Sequence, residues 1–264
     1  YRGRLVGRGA ELTQLANFVA PLANGRFAGA LTVQGEPGTG KSRLIHHFLE
    51  QSDALEVAEL FLCQTDEILR QALNPFRYWL RDYFNQSPRF SPAQNQRHFE
   101  AVYAGLLYDT DDDELYAALV RGRSFLGALV DLFWDDSLYA QAETALRFEN
   151  TLDALKALIR AECRRQPVIL LLEDAHWLDV SSWELTLEIA RGLTETPLFL
   201  LIALRPLRED EQSAEYKQLL DLPETHAITL ESLSKADIKE LIQTRLHVES
   251  LPETIVNLVQ TRAG

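Results

Sequence analysis

Cysteine, positive charge and long apolar runs are all scarce in this sequence, and each scarcity narrows what the chain can be. Its two cysteines, Cys63 and Cys163, are too few for a disulfide framework or a cysteine metal cluster, so we expect a reducing, cytoplasmic compartment. The longest apolar run, residues 198–204, is far shorter than the ~20 residues of a transmembrane helix, so no membrane partner is expected. The arginines near the N-terminus precede no apolar stretch, and no signal peptide is predicted.

Acidic residues outnumber basic ones by 39 to 26, which gives a formal net charge of −13. Because phosphate contacts require a basic patch, we expect no direct nucleic-acid contact from this segment. The 264 residues, 46% of them hydrophobic, suffice for one large α/β domain, or for one with a small neighbour. The chain begins at Tyr1 and ends at Gly264 within a predicted pair of helices, so it is expected to be a piece of a longer protein.

A phosphate-binding loop is the feature around which the chain is organised. Residues 35–42 match the pattern G-x-x-x-x-G-K-S/T at every fixed position. Residues 30–34 predict a short buried strand and residues 41–50 an amphipathic helix, whose N-terminus favours bound phosphate. Lys41 is predicted to reach the β- and γ-phosphates of a nucleotide, and the Ser42 hydroxyl to ligate Mg²⁺. The predicted nucleotide-binding residues here are Gly35, Glu36, Pro37, Gly38, Thr39, Gly40, Lys41, Ser42 and Arg43.

A second motif supplies the acids that hydrolysis requires. Glu173 and Asp174 directly follow an apolar run, as in the NTPase pattern of four hydrophobic residues and two acids. One acid is predicted to hold the Mg²⁺ shell and the other to polarise the attacking water, and the assignment stays open. His176 either senses the γ-phosphate or is a structural imidazole, and Asp179 is predicted to cap a helix. Arg205, at the end of the next apolar run, is predicted to approach the γ-phosphate and stabilise transition-state charge.

Strands alternating with helices predict an α/β fold, a P-loop NTPase with a five-stranded, mainly parallel sheet between helices. The predicted strands are residues 30–34, 55–63, 168–172, 198–204 and 226–230. The predicted helices are residues 11–20, 41–50, 76–84, 92–107, 142–165, 183–193, 209–220, 234–246 and 252–261. We expect an α/β domain over residues 1–231 with a helical insertion at about 74–143, followed by the truncated start of a helical lid over 232–264.

Adenine is the predicted base, with guanine as the alternative. Residues 234–237 come close to the guanine-reading pattern N/T-K-x-D, but the acid motif lacks the D-x-x-G of a GTPase switch. Ser234 and Asp237 also suit the start of a helix. The expected ligands are therefore ATP or ADP with Mg²⁺.

Taken together, the motifs resemble the ATPase module of the STAND class, and more narrowly the AAA-like module of multidomain adenylate/guanylate cyclases and LuxR-type transcriptional regulators. The resemblance rests on Val6-Gly7-Arg8 with Glu11-Leu12, residues 35–42, residues 172–179 and Leu204-Arg205-Pro206. It implies that Val6, Gly7 and Arg8 lie along the adenine and ribose side, that Arg205 is a nucleotide sensor, and that a lid begins near Ser234. It also implies slow ATP turnover coupled to an attached effector domain, often with homo-oligomerisation. Many STAND members carry aspartate where this chain has Glu173, which leaves open which acid faces the metal.

The predicted function is that of a nucleotide-dependent regulatory switch, a slow Mg²⁺-dependent ATPase module within a signal-transduction or transcription-regulatory protein. A replication-initiator or clamp-loader-like ATPase acting on DNA is the alternative, which the net charge of −13 disfavours. A small-molecule kinase is a third option, disfavoured because no arginine cluster follows the acid motif.

Overall fold

A parallel sheet forms the centre of the molecule. The computed structural model describes residues 5–52, 54–65 and 71–246, together with residues 248, 250 and 252. In these ranges the strands are β1 (Gly29–Gly35), β2 (Glu59–Gln64), β3 (Val168–Glu173), β4 (Leu198–Leu204) and β5 (Thr225–Leu230). They form one five-stranded sheet in the order β2-β3-β4-β1-β5, with every neighbouring pair parallel. The predicted five-stranded α/β fold is confirmed, and the described sheet is wholly rather than mainly parallel.

Helices cover both faces of this sheet. They are α1 (Gly9–Val19), α2 (Lys41–Gln51), α3 (Ala54–Val57), α4 (Asn74–Tyr83), α5 (Pro92–Tyr108), α6 (Asp113–Leu129), α7 (Leu138–Gln141), α8 (Thr144–Arg165), α9 (Val180–Gly192), α10 (Ala214–Leu220) and α11 (Lys235–Leu246). Short 3-10 turns lie at Ala20–Asn24, Ala175–Trp177 and Glu209–Glu211. Within the described ranges, the helices are all too short or too polar to cross a membrane.

The core follows from the alternation of side chains along buried strands. All residues of β3 and β4 are buried, as expected for parallel strands covered on both faces. Leu170 and Leu172 of β3 pack into an apolar cluster with the helices from α4 to α10, whereas Ile169 and Leu171 pack into a second cluster with α1 and α2. Each such side chain stabilises the fold by about 1.5–3 kcal/mol on burial. The loops at the carboxyl ends of these strands are therefore held on a rigid support.

The described chain between β2 and β3, residues 71–167, contains the helices α4 to α8 as its regular elements. These helices enclose a group of aromatic side chains, in which the ring centroids of Phe84 and Phe99 lie 4.4 Å apart. The segment is attached to the sheet at the edge strand β2, where the rings of Phe61 and Trp79 lie 4.6 Å apart. This helical segment thus borders the edge of the sheet, and its treatment as a separate insertion stays a prediction.

One predicted strand is partly wrong. Residues 55–63 are predicted as a single strand, but Ala54–Val57 form helix α3 and only Glu59–Gln64 form β2. The alternation of apolar and acidic residues over 55–57 mimics a strand, while the Ala58 N–H donates to the Ala54 carbonyl at 3.0 Å and closes a helical turn. A single turn is too short for its helical period to be visible in the sequence.

One predicted helix is interrupted. Residues 209–220 are predicted as one helix, but a 3-10 turn at Glu209–Glu211 precedes α10 at Ala214–Leu220. The Ser213 hydroxyl accepts a hydrogen bond from the Tyr216 N–H at 3.1 Å, which caps α10 and separates it from the turn. The predicted helix 252–261 falls outside the described residues except for residue 252.

Candidate functional site

The glycine-rich loop lies between β1 and the N-terminus of α2. Gly38 and Gly40 have φ angles of 86° and 94°, in the left-handed region that glycine adopts without steric cost. A Cβ atom built on either would meet nothing within 4 Å, so the space beside the loop is open. The loop therefore curls at the positive end of a helix dipole and leaves room for an anionic group.

The Lys41 side chain is held by hydrogen bonds to the start of the phosphate loop. Its ammonium donates hydrogen bonds to the carbonyl oxygens of Gly35 at 2.7 Å and Glu36 at 3.2 Å. Burial lowers the pKa of the Lys41 ammonium, and the carboxylates of Asp174 and Glu36 oppose part of that effect. The cation is thus fixed close to the place that the loop leaves open.

One cavity of about 400 Å³ joins the loop to the acid motif and to the end of β4. Its lining residues are Pro37, Gly38, Gly40, Lys41, Ser42, Arg43, Asp174, His176 and Arg205. The structure therefore brings most of the predicted phosphate-binding, metal-binding and sensor side chains to a single place. The predicted residues outside this lining are Val6, Gly7, Arg8, Gly35, Glu36, Thr39 and Glu173.

Glu173 and Asp174 face different surroundings. Asp174 is exposed and lines the cavity, whereas Glu173 is buried beside α2. The Glu173 Oε1 atom lies 3.3 Å from His46 Nε2, and it accepts no well-formed hydrogen bond from the residues that the structure describes. His46 follows Ser42 by four positions and so lies on the same helix face. Glu173 therefore approaches α2 on the side that carries Ser42.

Arg205 and His176 also line this cavity. The Arg205 guanidinium carbon lies 4.9 Å from the centroid of the Trp177 ring, a cation–π distance. Burial lowers the pKa of His176, Asp174 raises it in part, and the positive charges of Arg205 and Lys41 lower it further. The imidazole is therefore neutral at neutral pH, and its buried Nδ1 atom has no hydrogen-bond partner among the described residues.

Arg8 supports the phosphate loop through hydrogen bonds to backbone carbonyl groups, a role that its place in the sequence motif did not reveal. Its buried guanidinium donates to the carbonyl oxygens of Thr39 at 3.1 Å and Glu231 at 2.6 Å, and it pairs with Glu11 at 3.0 Å. The neighbouring Gly7 has a φ of 68°, and a Cβ there would come within 2.5 Å of the Asp237 side chain at the start of α11. The segment 6–8 thus packs between the loop and α11.

Thr65 is a second residue that the motifs did not indicate. Its hydroxyl oxygen lies 2.7 Å from the Asp174 carbonyl oxygen and 3.0 Å from the Glu173 carbonyl oxygen. The sequence indicates Thr65 only as a hydroxyl residue directly after a predicted strand, a pattern too common to single it out.

The predicted helix cap at Asp179 is confirmed, since its carboxylate accepts a hydrogen bond from the Ser182 N–H at 3.0 Å.

The donor set fits a magnesium nucleotide better than a bare metal ion. Among the described residues, no group of three or more His, Cys, Asp or Glu side chains is placed to hold a metal. Mg²⁺ usually keeps several waters and takes one or two protein ligands together with the substrate's phosphates. Ser42, Asp174 and Glu173 supply oxygen atoms of that kind near the open loop.

Comparison with known proteins assigns the family. A model of the AAA ATPase domain matches residues 4–202. An uncharacterized protein of Rhizobium meliloti (strain 1021) is 27% identical over 208 residues, which are 77% of this chain and 19% of that protein. The chain thus spans about a fifth of that relative's length.

Two solved structures share the fold. Cdc6p from Pyrobaculum aerophilum matches with a TM-score of 0.52 and 14% sequence identity, over 93% of this chain and 51% of that protein's chain. The ORC2 protein of Aeropyrum pernix, in its ADPNP–ADP complexes, matches with a TM-score of 0.52 and 12% identity, over 93% of this chain and 52% of its own. At such identities the similarity concerns the fold alone, and the chain spans about half of each. Because the family model covers most of its length, this chain belongs to the AAA ATPase domain family.

Proposed function

We propose that this chain is an ATP-binding module of the STAND class, which hydrolyses ATP slowly with Mg²⁺ and acts as a nucleotide-dependent switch in a larger signal-transduction or transcription-regulatory protein. The observation that carries the proposal is the single cavity lined by Lys41 and Ser42 from the loop, Asp174 from the acid motif and Arg205 from β4. Phosphoryl transfer needs these parts in one place: a phosphate cradle, a metal ligand, a group that orients water and a cation for developing charge.

In this proposal the loop binds the triphosphate through its backbone N–H groups and the N-terminus of α2. Lys41 exchanges its hydrogen bonds with the carbonyls of Gly35 and Glu36 for contacts with the β- and γ-phosphates. Because these hydrogen bonds already order the Lys41 side chain, the exchange costs little additional side-chain entropy. The Ser42 hydroxyl would hold the Mg²⁺ that accompanies the nucleotide, and this ion would offset the negative charge of the phosphates.

The two acids divide the remaining work. Glu173, buried beside the helix face of Ser42, would help to hold the hydrated Mg²⁺ through its Oε1 atom, which accepts no hydrogen bond from the described residues. Asp174, which lines the open cavity, orients the attacking water and accepts its proton. Arg205 leaves the Trp177 ring to meet the charge that develops on the γ-phosphate.

The switch consists of the change in these contacts when the γ-phosphate is present. A ligand shifts a conformational equilibrium only by its differential affinity for the two states. Arg205 and Lys41 supply such a difference, because each makes contacts within the protein that bound nucleotide replaces. The attached effector domain, α11 as the start of a helical lid and self-association of the chain belong to the same proposal.

A replication-initiator-like ATPase acting on DNA is the second candidate. The observation in its favour is the fold shared with Cdc6p of Pyrobaculum aerophilum and ORC2 of Aeropyrum pernix. The net charge of −13 weighs against a DNA-facing surface on this chain. We therefore prefer the regulatory switch.

Nucleotide titration of Lys41→Ala tests the proposal. Wild-type protein is expected to bind Mg·ATP more tightly than Mg·GTP, and the variant to bind ATP about 100-fold more weakly. Lys217→Ala, which removes an exposed lysine of α10 outside the cavity lining, is the matched control and should bind as wild type. Wild-type affinity in Lys41→Ala would refute the site, and tighter GTP binding would refute the choice of adenine.

A further inference from the structure

Thr65, the residue that follows β2, is hydrogen-bonded to the acid motif at the end of the neighbouring strand β3. The Thr65 hydroxyl lies 2.7 Å from the Asp174 carbonyl oxygen and 3.0 Å from that of Glu173, so its single proton is donated mainly to Asp174. The Thr65 N–H also points at the Glu173 carbonyl, at 3.4 Å. The backbone of both acids is therefore bonded to one residue that lies 109 positions earlier than Asp174.

Asp174 has an unusual backbone conformation that these bonds maintain. Its φ and ψ angles are 51° and 39°, in the left-handed region that residues other than glycine adopt at a cost. The Trp177 N–H donates to the same Asp174 carbonyl oxygen at 2.9 Å, so both lone pairs of that oxygen are used. Two donors from different directions fix the peptide plane after Asp174, and with it the direction in which the carboxylate enters the cavity.

The other end of the acid loop is held in a similar way. The Leu73 N–H, one residue before α4, donates to the Asp179 carboxylate at 3.3 Å. Thr65 and Leu73 flank the connection from β2 to the helical segment α4–α8, whose residues 66–70 lie outside the described ranges. The two ends of that connection thus bind the two ends of the loop 174–179.

We propose that Thr65 is a positioning residue for ATP hydrolysis, which holds Asp174 in its left-handed conformation so that the carboxylate faces the γ-phosphate region. This inference rests on the function proposed above for the cavity. A purely structural hydroxyl would instead contribute to stability and leave catalysis unchanged.

Three variants separate these roles. Thr65→Val removes the donor at nearly constant volume, Thr65→Ser keeps it, and Thr13→Val removes a comparable hydroxyl bond, 2.9 Å to the Gly9 carbonyl, on the exposed face of α1. We expect kcat to fall about tenfold in Thr65→Val and to return to within about threefold of wild type in Thr65→Ser. The ATP dissociation constant and KM should change less than about twofold in all three variants, and Thr13→Val should match wild type throughout.

A binding measurement gives a second readout. ADP with aluminium fluoride mimics the transferring phosphoryl group, so its affinity for Thr65→Val should fall in parallel with kcat while ADP affinity stays constant. If Thr65→Val fails to fold, Thr65→Ala repeats both measurements without the added methyl group.

The outcomes distinguish this inference from the proposal beneath it. Wild-type protein that binds no ATP, or that binds it without turnover, overturns the proposed function and this inference together. Wild-type turnover that is retained in Thr65→Val, or lost equally in Thr65→Ser, overturns the positioning role alone. A fall in kcat that Thr65→Ser restores, at constant ATP affinity, supports it.

Discussion

At the scale of single residues, Glu173 and Asp174 show how adjacent acids acquire separate roles. The last position of β3 sends the Glu173 side chain into the protein beside His46, while the left-handed turn that follows brings Asp174 to the open cavity. Their proposed tasks, a water in the Mg²⁺ shell and the attacking water, both concern the transition state more than the bound substrate. Each should therefore affect kcat more than affinity.

We predict that Glu173→Gln and Asp174→Asn each lower kcat by about 100-fold while the ATP dissociation constant stays within about threefold of wild type. Single-turnover hydrolysis and equilibrium binding, measured on the same preparations, check the two quantities. Glu195→Gln and Asp221→Asn, which neutralise exposed acids outside the cavity lining, are the matched controls. Unchanged hydrolysis in both site variants would remove the acids from the mechanism.

The motif residues were predictable from the sequence because their spacing is local. A loop of eight residues, or two acids after an apolar run, can be identified within a short window. Arg8 and Thr65 act through contacts that span 223 and 109 residues, and no local pattern encodes such contacts. The reading of Val6, Gly7 and Arg8 as the adenine side stays a prediction, whereas the bonds from Arg8 to Thr39 and Glu231 are visible only in the fold.

At the scale of elements, strands were easier to predict than the ends of short helices. The continuous apolar runs of β3 and β4 are typical of strands buried on both faces, and both lie where the sequence indicates. Helix α3 has four residues and α10 seven, so neither repeats its period often enough to be distinguished from a strand or from a longer helix. Tertiary packing determines where such elements begin and end.

Helix packing gives a prediction that a pair of glycines tests. A Cβ at Gly122 in α6 would lie 2.9 Å from Ala154 Cβ and 3.2 Å from Ala154 Cα in α8, whereas a Cβ at Gly105 in α5 would meet nothing within 4 Å. Gly105→Ala should raise the free energy of unfolding by roughly 0.5–1 kcal/mol through helix propensity. Gly122→Ala should lower it by about 1–2 kcal/mol, because α6 and α8 must move apart.

Urea unfolding monitored by circular dichroism measures both changes against wild type. Equal stabilisation by the two alanines would show that α6 and α8 are packed less closely than in this structure. Opposite signs would confirm that Gly122 is required for the approach of the two helices.

At the scale of the whole molecule, charge separates the two candidate functions. A net charge of −13 repels the phosphate backbone, and a protein that uses DNA needs a basic surface large enough to overcome that repulsion. The chain covers only a fifth of its Rhizobium meliloti relative, so the conclusion concerns this module and not a longer protein that contains it.

We predict that the chain is not retained on double-stranded DNA at about 0.15 M salt, with or without Mg·ATP. Fluorescence anisotropy of a labelled duplex checks this, and a titration at low salt supplies the internal control for weak electrostatic binding. Binding that persists at physiological salt, with a steep dependence on salt concentration, would favour the initiator-like candidate over the switch.

The strand order has a consequence for synthesis on the ribosome. β1, which leads into the phosphate loop, pairs with β4 on one side and β5 on the other. A nascent chain therefore carries the loop long before either neighbour of its strand has been translated. β1 gains its first partner strand only when β4 has emerged, and it is paired on both sides only after Leu230. The cavity also needs Asp174 and Arg205, so ATP can stabilise the folding chain only after β4 and Arg205 have left the exit tunnel.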